Sequence, residues 1–127
     1  MRYKREEAFR FQFRTPLEAT VKIIHLNRKK QETPSFPAAI MDISPNGTKF
    51  KSPMDIAIDE NQYLMEISFN LDEKSIRMLG EPVWKKSVGS HSIYGFNGLE
   101  DEQTRCEIIQ ALKEYSKKLY HDLKTKQ

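Results

Sequence analysis

The stretch Asn61-Gln62-Tyr63-Leu64-Met65-Glu66-Ile67-Ser68-Phe69-Asn70-Leu71 alternates with a period of two, so that Tyr63, Met65, Ile67, Phe69 and Leu71 share one face. That period belongs to a β-strand with one buried face. A second alternation, at residues 9–14, sets Phe9, Phe11 and Phe13 against Arg10, Gln12 and Arg14, with the phenylalanines bound for the core. Thr15-Pro16 interrupts that ladder, because proline has no N–H to donate, and residues 19–26 continue as a β-branched strand. Further strands are expected at 38–43, 48–52 and 91–99, and a kinked or bulged one at 75–87, which contains Gly80 and Pro82. Ser44-Pro45-Asn46-Gly47 reads as a tight turn in which proline pre-sets φ and Asn-Gly tolerates positive φ. Residues 27–37 carry Arg28, Lys29, Lys30 and Glu32 beside Pro34 and Pro37, and read as a mobile loop.

The period then changes. Ile108, Leu112, Tyr115, Leu119 and Leu123 fall on one face of a helix expected over 100–123. Glu100, Asp101 and Glu102 stand at its start and lysines toward its end, which suits the macrodipole. Cys106 is expected near the core face of this helix, where a thiol is inert. Several short strands followed by one amphipathic helix make a barrel or sandwich with the helix packed on it. The whole of 1–127 reads as a single domain: a flexible basic arm at 1–8, the β-structure at 9–99, and the helix at 100–123.

With 127 residues the chain builds one core and not two. A charged fraction of 31% beside 38% hydrophobic residues describes a globular protein with a well-solvated surface. The net charge of +3 is too mild to imply nucleic acid, and most aromatics alternate inward, so no DNA partner is expected. Cys106 is the single cysteine, which allows no internal disulfide. The charged first residues lack the apolar run of a signal peptide, and no stretch nears the roughly 18 apolar residues of a membrane span; a cytoplasmic location is expected. His25, His91 and His121 are scattered without a metal-ligand pattern. The five glycines form no phosphate-cradling loop. Neither catalytic residues nor a metal site are therefore expected, and the chain reads as a binding protein rather than an enzyme.

Two features carry chemistry together. One is the arginine-rich run Lys4-Arg5-Glu6-Glu7-Ala8-Phe9-Arg10-Phe11-Gln12-Phe13-Arg14; the other is Asp42-Ile43-Ser44-Pro45-Asn46-Gly47. Alone, the second can simply cap its own turn through side-chain hydrogen bonds, and the first can be a solvated arm. Their combination resembles the PilZ family, whose signature is RxxxR followed some tens of residues later by (D/N)xSxxG. Asp42, Ser44 and Gly47 match the second part. Gly80-Glu81-Pro82-Val83-Trp84 is similar to the family's late strand and Tyr94-Gly95-Phe96 to its final glycine–aromatic strand, with a helix following in the expected place. The first part departs from the pattern: four residues before Arg10 stands Glu6, and Arg5 lies one residue further back. Arg10 and Arg14 have the literal RxxxR spacing but lie inside the strand. The register that pairs Arg5 with Arg10 is favoured, because it puts Pro16 and the Phe alternation where the family has its first strand.

The resemblance implies a six-stranded antiparallel β-barrel with a C-terminal helix, no cofactor, and cyclic di-GMP as ligand. The ligand-binding residues it implies are Arg5, Arg10, Asp42, Ser44 and Gly47, with Lys4, Arg14, Asn46 and Trp84 as further candidates. Guanidinium groups donate in pairs to phosphate oxygens and to guanine O6 and N7, and they stack on purines. Asp42 would accept from guanine N1–H and N2–H, Ser44 would add a hydroxyl contact, and Gly47 would leave room for close backbone approach. The output would be a change of contacts with a protein partner; in the family such partners include flagellar motor, secretion and exopolysaccharide machinery, which control motility and biofilm. A second reading, for which Glu6 speaks, is a PilZ-like adaptor that works by protein contact without nucleotide.

Overall fold

The computed structural model describes residues 10–31, 33–99 and 101–125. The elements are β1 (Phe11–Leu26), β2 (Lys29–Lys30), β3 (Phe36–Ser44), β4 (Gly47–Ser52), β5 (Tyr63–Leu71), β6 (Lys74–Val88), β7 (His91–Gly98) and α1 (Glu102–Thr125). The sheet order is β2-β1-β3-β4-β7-β6-β5, and β1 also pairs with β5. Every pairing is antiparallel. The long strands thus close into a six-stranded antiparallel barrel, and β2 is a two-residue appendage of β1.

The alternation of β5 explains the closure. Met65, Ile67, Phe69 and Leu71 are buried, and Tyr63 packs half-buried against them. Phe69 faces Ala19 of β1 on one side and Ile76 of β6 on the other. A strand that is apolar on one face and paired along both sides has only the barrel interior in which to bury that face.

The helix covers the barrel where β1 begins and β5 turns into β6. Ile108, Ala111 and Leu112 are buried, and the Tyr115 ring meets Phe11 and Phe13 edge-on at 5.5 and 5.8 Å between centroids. Lys118 Nζ lies 2.7 Å from the carboxylate of Asp72 in the β5–β6 turn, and that hydrogen bond raises the lysine above its ordinary pKa. Residues 53–62 cover the opposite end. Ile56 is buried there; the Tyr94 hydroxyl donates to the Met54 carbonyl at 2.6 Å and accepts from the Ile56 amide at 2.8 Å. Lys85, from the second half of β6, donates to the Ile56 carbonyl at 2.9 Å and pairs with Asp55.

Several expectations need correction. The region expected as a mobile loop opens with a tight turn at Asn27-Arg28, both at positive φ, continues through β2, and gives Phe36 and Pro37 to β3. The Asn27 side chain tethers this turn to Asn61 and to the Gln62 amide. The turn at 44–47 forms without positive φ at Asn46 or Gly47; among the described residues positive φ is found at Asn27, Arg28, Asp72, Glu73 and Gly89. Cys106 is exposed and not near the core face. Leu119 is exposed as well. The expected bulge of the late strand exists, between Pro82 and Trp84. The basic arm at 1–8 and Phe9 lie outside the described residues, as does the side chain of Leu123.

Candidate functional site

The pairing registers line up one row of residues across five strands: Gln12 opposite Asp42, Asp42 opposite Lys49, Lys49 opposite Gly95, and Gly95 opposite Trp84. Their chain neighbours Ile43, Phe50, Tyr94 and Phe96 are buried in the core, so by strand alternation the row faces outward. Two bulges set this alignment. One, between Ile40 and Asp42, returns Asp42 to the outer face; the other, between Pro82 and Trp84, does the same for the indole.

Over the row lies an open cleft of about 420 Å³, lined by Arg10, Asp42, Ser44, Asn46, Gly47, Lys49, Trp84 and Gly95 among others. Asp42 forms its floor, with a side chain only 4% exposed. Arg10 pairs with Oδ1 of that carboxylate, and Lys49 Nζ stands 3.5 Å from Oδ2. The side chains of Arg10 and Lys49 are 39% and 34% exposed, so both cations present a face to the cleft. Ser44 is buried; its hydroxyl sits 3.4 Å from the Gly47 carbonyl and 3.3 Å from the Asn46 amide, capping the turn. Glycine is required at position 47 by close approach: a Cβ there would lie 2.3 Å from the Phe96 carbonyl oxygen on β7.

Gly95 is the seat of Trp84. A Cβ on Gly95 would lie 2.0 Å from the indole Nε1, so the ring rests directly on the strand backbone with 45% of the residue exposed. Gly95→Ala is expected to push the indole off the strand and shift the emission of this single tryptophan to longer wavelength. Stability should stay within about 1 kcal/mol of wild type, since a side chain rather than backbone gives way. Fluorescence and thermal melts check this, and unchanged emission would contradict the seating.

Of the residues singled out in the sequence, Arg10, Asp42, Ser44, Asn46, Gly47 and Trp84 share this cleft. Arg14 does not; it lines a neighbouring groove that shares Gln12, Asp42 and Lys49. Lys4 and Arg5 lie outside the described residues. Sequence reasoning missed Lys49 and Gln12. Strand alternation alone places Lys49 on the outer face, but its pairing with Asp42 depends on the bulge at Met41, which no local signal announces. Among the described residues no group of histidine, cysteine and carboxylate side chains could hold a metal ion, and no helix is long and apolar enough to cross a membrane.

A protein-family model described as PilZ domain matches residues 4–116. The chain belongs to the PilZ domain family. The fold of this PilZ domain is similar to the crystal structure of the PilZ domain of CeSA from a cellulose synthesizing bacterium. The TM-score is 0.55 and the identity 12%, over 81% of this chain and 93% of that one. At that identity the likeness is one of fold. No curated protein matches the chain. In this PilZ domain the Asp42-to-Gly47 motif supplies the floor and one rim of the cleft, while Trp84 on its glycine seat supplies the far wall.

Proposed function

We propose that this PilZ domain is a cyclic di-GMP receptor that passes ligand occupancy to a protein partner and does no chemistry of its own. The observation that carries the reading is the convergence of Arg10, the Asp42-to-Gly47 motif and Trp84, from three separate stretches of chain, on one cleft. Its volume is within the roughly 300–1,000 Å³ usual for small-molecule sites. A guanine base has the chemistry to use each wall: its N1–H and N2–H suit a carboxylate, its O6 and N7 suit a guanidinium, and its face suits an indole. The phosphates suit Arg10, and Lys4 and Arg5 carry the same chemistry a few residues earlier in the sequence. Because Arg10 pairs with Asp42, a phosphate that takes the guanidinium would draw Arg10 from the carboxylate to the ligand. That exchange of partners at Arg10, just before β1, is the signal a partner would read. In the cytoplasm such a partner would be flagellar, secretion or polysaccharide-export machinery.

The adaptor reading without nucleotide draws on one specific observation: both Asp42 oxygens already face cations of the protein; in the sequence, Glu6 stands where the family's signature has its first arginine relative to Arg10. Calorimetric titration with cyclic di-GMP, GTP and a short oligonucleotide in parallel separates the readings. Heat is expected with cyclic di-GMP only, with affinity falling as salt rises because the phosphate contacts are ionic. No heat at high protein concentration would select the adaptor.

A further inference from the structure

Asp42 is nearly buried and has a cation at each oxygen, Arg10 at Oδ1 and Lys49 at Oδ2. A buried carboxylate that loses its last counter-ion is strongly disfavoured. If Arg10 were its only partner, Arg10 would be locked in place, and any ligand asking for that guanidinium would have to strand the carboxylate. Lys49 removes the conflict. It comes from β4, a strand paired on both sides, so it stays beside Asp42 whatever the chain before β1 does. The charges of the cleft lead to the same place. Among the described lining residues the charged groups are Arg10, Asp42 and Lys49. Arg10 and Asp42 cancel, and Lys49 alone makes the cleft net positive.

We propose that Lys49 is a positioning residue of the ligand site: it holds Asp42 in the cleft and thereby frees Arg10 to take a phosphate of the ligand. The inference rests on the cyclic di-GMP reading, and it adds a residue that the motif does not contain. An arginine that is to exchange partners needs a second cation left behind, and only the row alignment across β3 and β4 provides one. Lys51, the next outward lysine of the same strand, pairs opposite Ile93 and Ala39 and does not line the cleft. It carries the same charge two residues away and serves as the control.

The test is calorimetric titration of the full chain with cyclic di-GMP for wild type, Lys49→Met, Lys49→Arg and Lys51→Met, with thermal melts to verify folding. Lys49→Met is expected to weaken binding about tenfold or more, the scale of one charged hydrogen-bond partner. Lys51→Met should stay within about twofold, as a charge outside the site does. Lys49→Arg should recover to within about threefold of wild type, because it restores the cation. A Lys49→Met protein that binds like wild type overturns the proposal, and so does a Lys51→Met protein weakened equally, which would make the effect one of general surface charge. Wild type that gives no heat overturns the cyclic di-GMP reading itself, and the role of Lys49 falls with it. Binding by wild type with no effect of Lys49→Met removes only the Lys49 proposal.

Discussion

Replacing Phe69 by alanine is expected to remove roughly 3–5 kcal/mol of folding stability, the usual cost of emptying a buried aromatic site. Phe69 is 5% exposed and sits mid-strand in β5, between Ala19 of β1 and Ile76 of β6. These are the pairings that close the barrel. The neighbours cannot collapse into the space, because the backbone on both sides is fixed by ladder hydrogen bonds. The loss therefore combines the transfer term with an unfilled cavity. Urea unfolding of the two proteins measures it. A loss no larger than that of a typical surface substitution, about 0.5 kcal/mol, would mean that β5 does not have this register.

Asp42→Ala and Arg10→Ala are each expected to weaken cyclic di-GMP binding roughly ten- to a hundredfold, from the 1.5–3 kcal/mol attached to a hydrogen bond with a charged partner. The two losses should differ in kind. Arg10 supplies charge to a phosphate, so its removal should flatten the dependence of affinity on salt. Asp42 reads a guanine edge, so its removal should leave much of the salt dependence and erode the preference for guanine over adenine. Titrations at two salt concentrations with cyclic di-GMP and its adenine analogue separate the two. If Arg10→Ala is silent while Arg14→Ala abolishes binding, the ligand lies in the groove on the Arg14 side of Asp42 and not in the cleft with Trp84.

The fold was legible wherever one face of a strand is buried. Residues 61–71 and 9–14 announce themselves by alternation, and Ile108, Leu112 and Tyr115 by helical spacing, because burial acts on each local period directly. The turns were less legible. Arg28 and Glu73 adopt positive φ, which long charged side chains seldom do; the hairpins that hold them override local preference. Gly47 is legible in the sequence as a site of close backbone approach to a ligand, and the fold adds a close approach to β7. The site was half legible. Asp42 and Ser44 stood in a motif, whereas Lys49 meets Asp42 only through a cross-strand register that a bulge sets. Such a partner is a property of the folded sheet and leaves no spacing in the sequence to read.

The second half of β6 has a further consequence. β5 pairs with β6 only as far as Gly80, whereas β7 follows β6 to Val88. Beyond Gly80, then, β6 has a neighbour on one side only, and an edge of that kind invites another chain to add a strand. The residues there discourage it. Pro82 offers no N–H, the bulge at Val83 throws any incoming strand out of step, and Lys85 and Lys86 bring charge to the rim. Lys85 also ties residues 55 and 56 beside that rim. An incoming strand is therefore refused regular main-chain pairing at this edge. Polymerisation through the sheet is thereby discouraged at this edge.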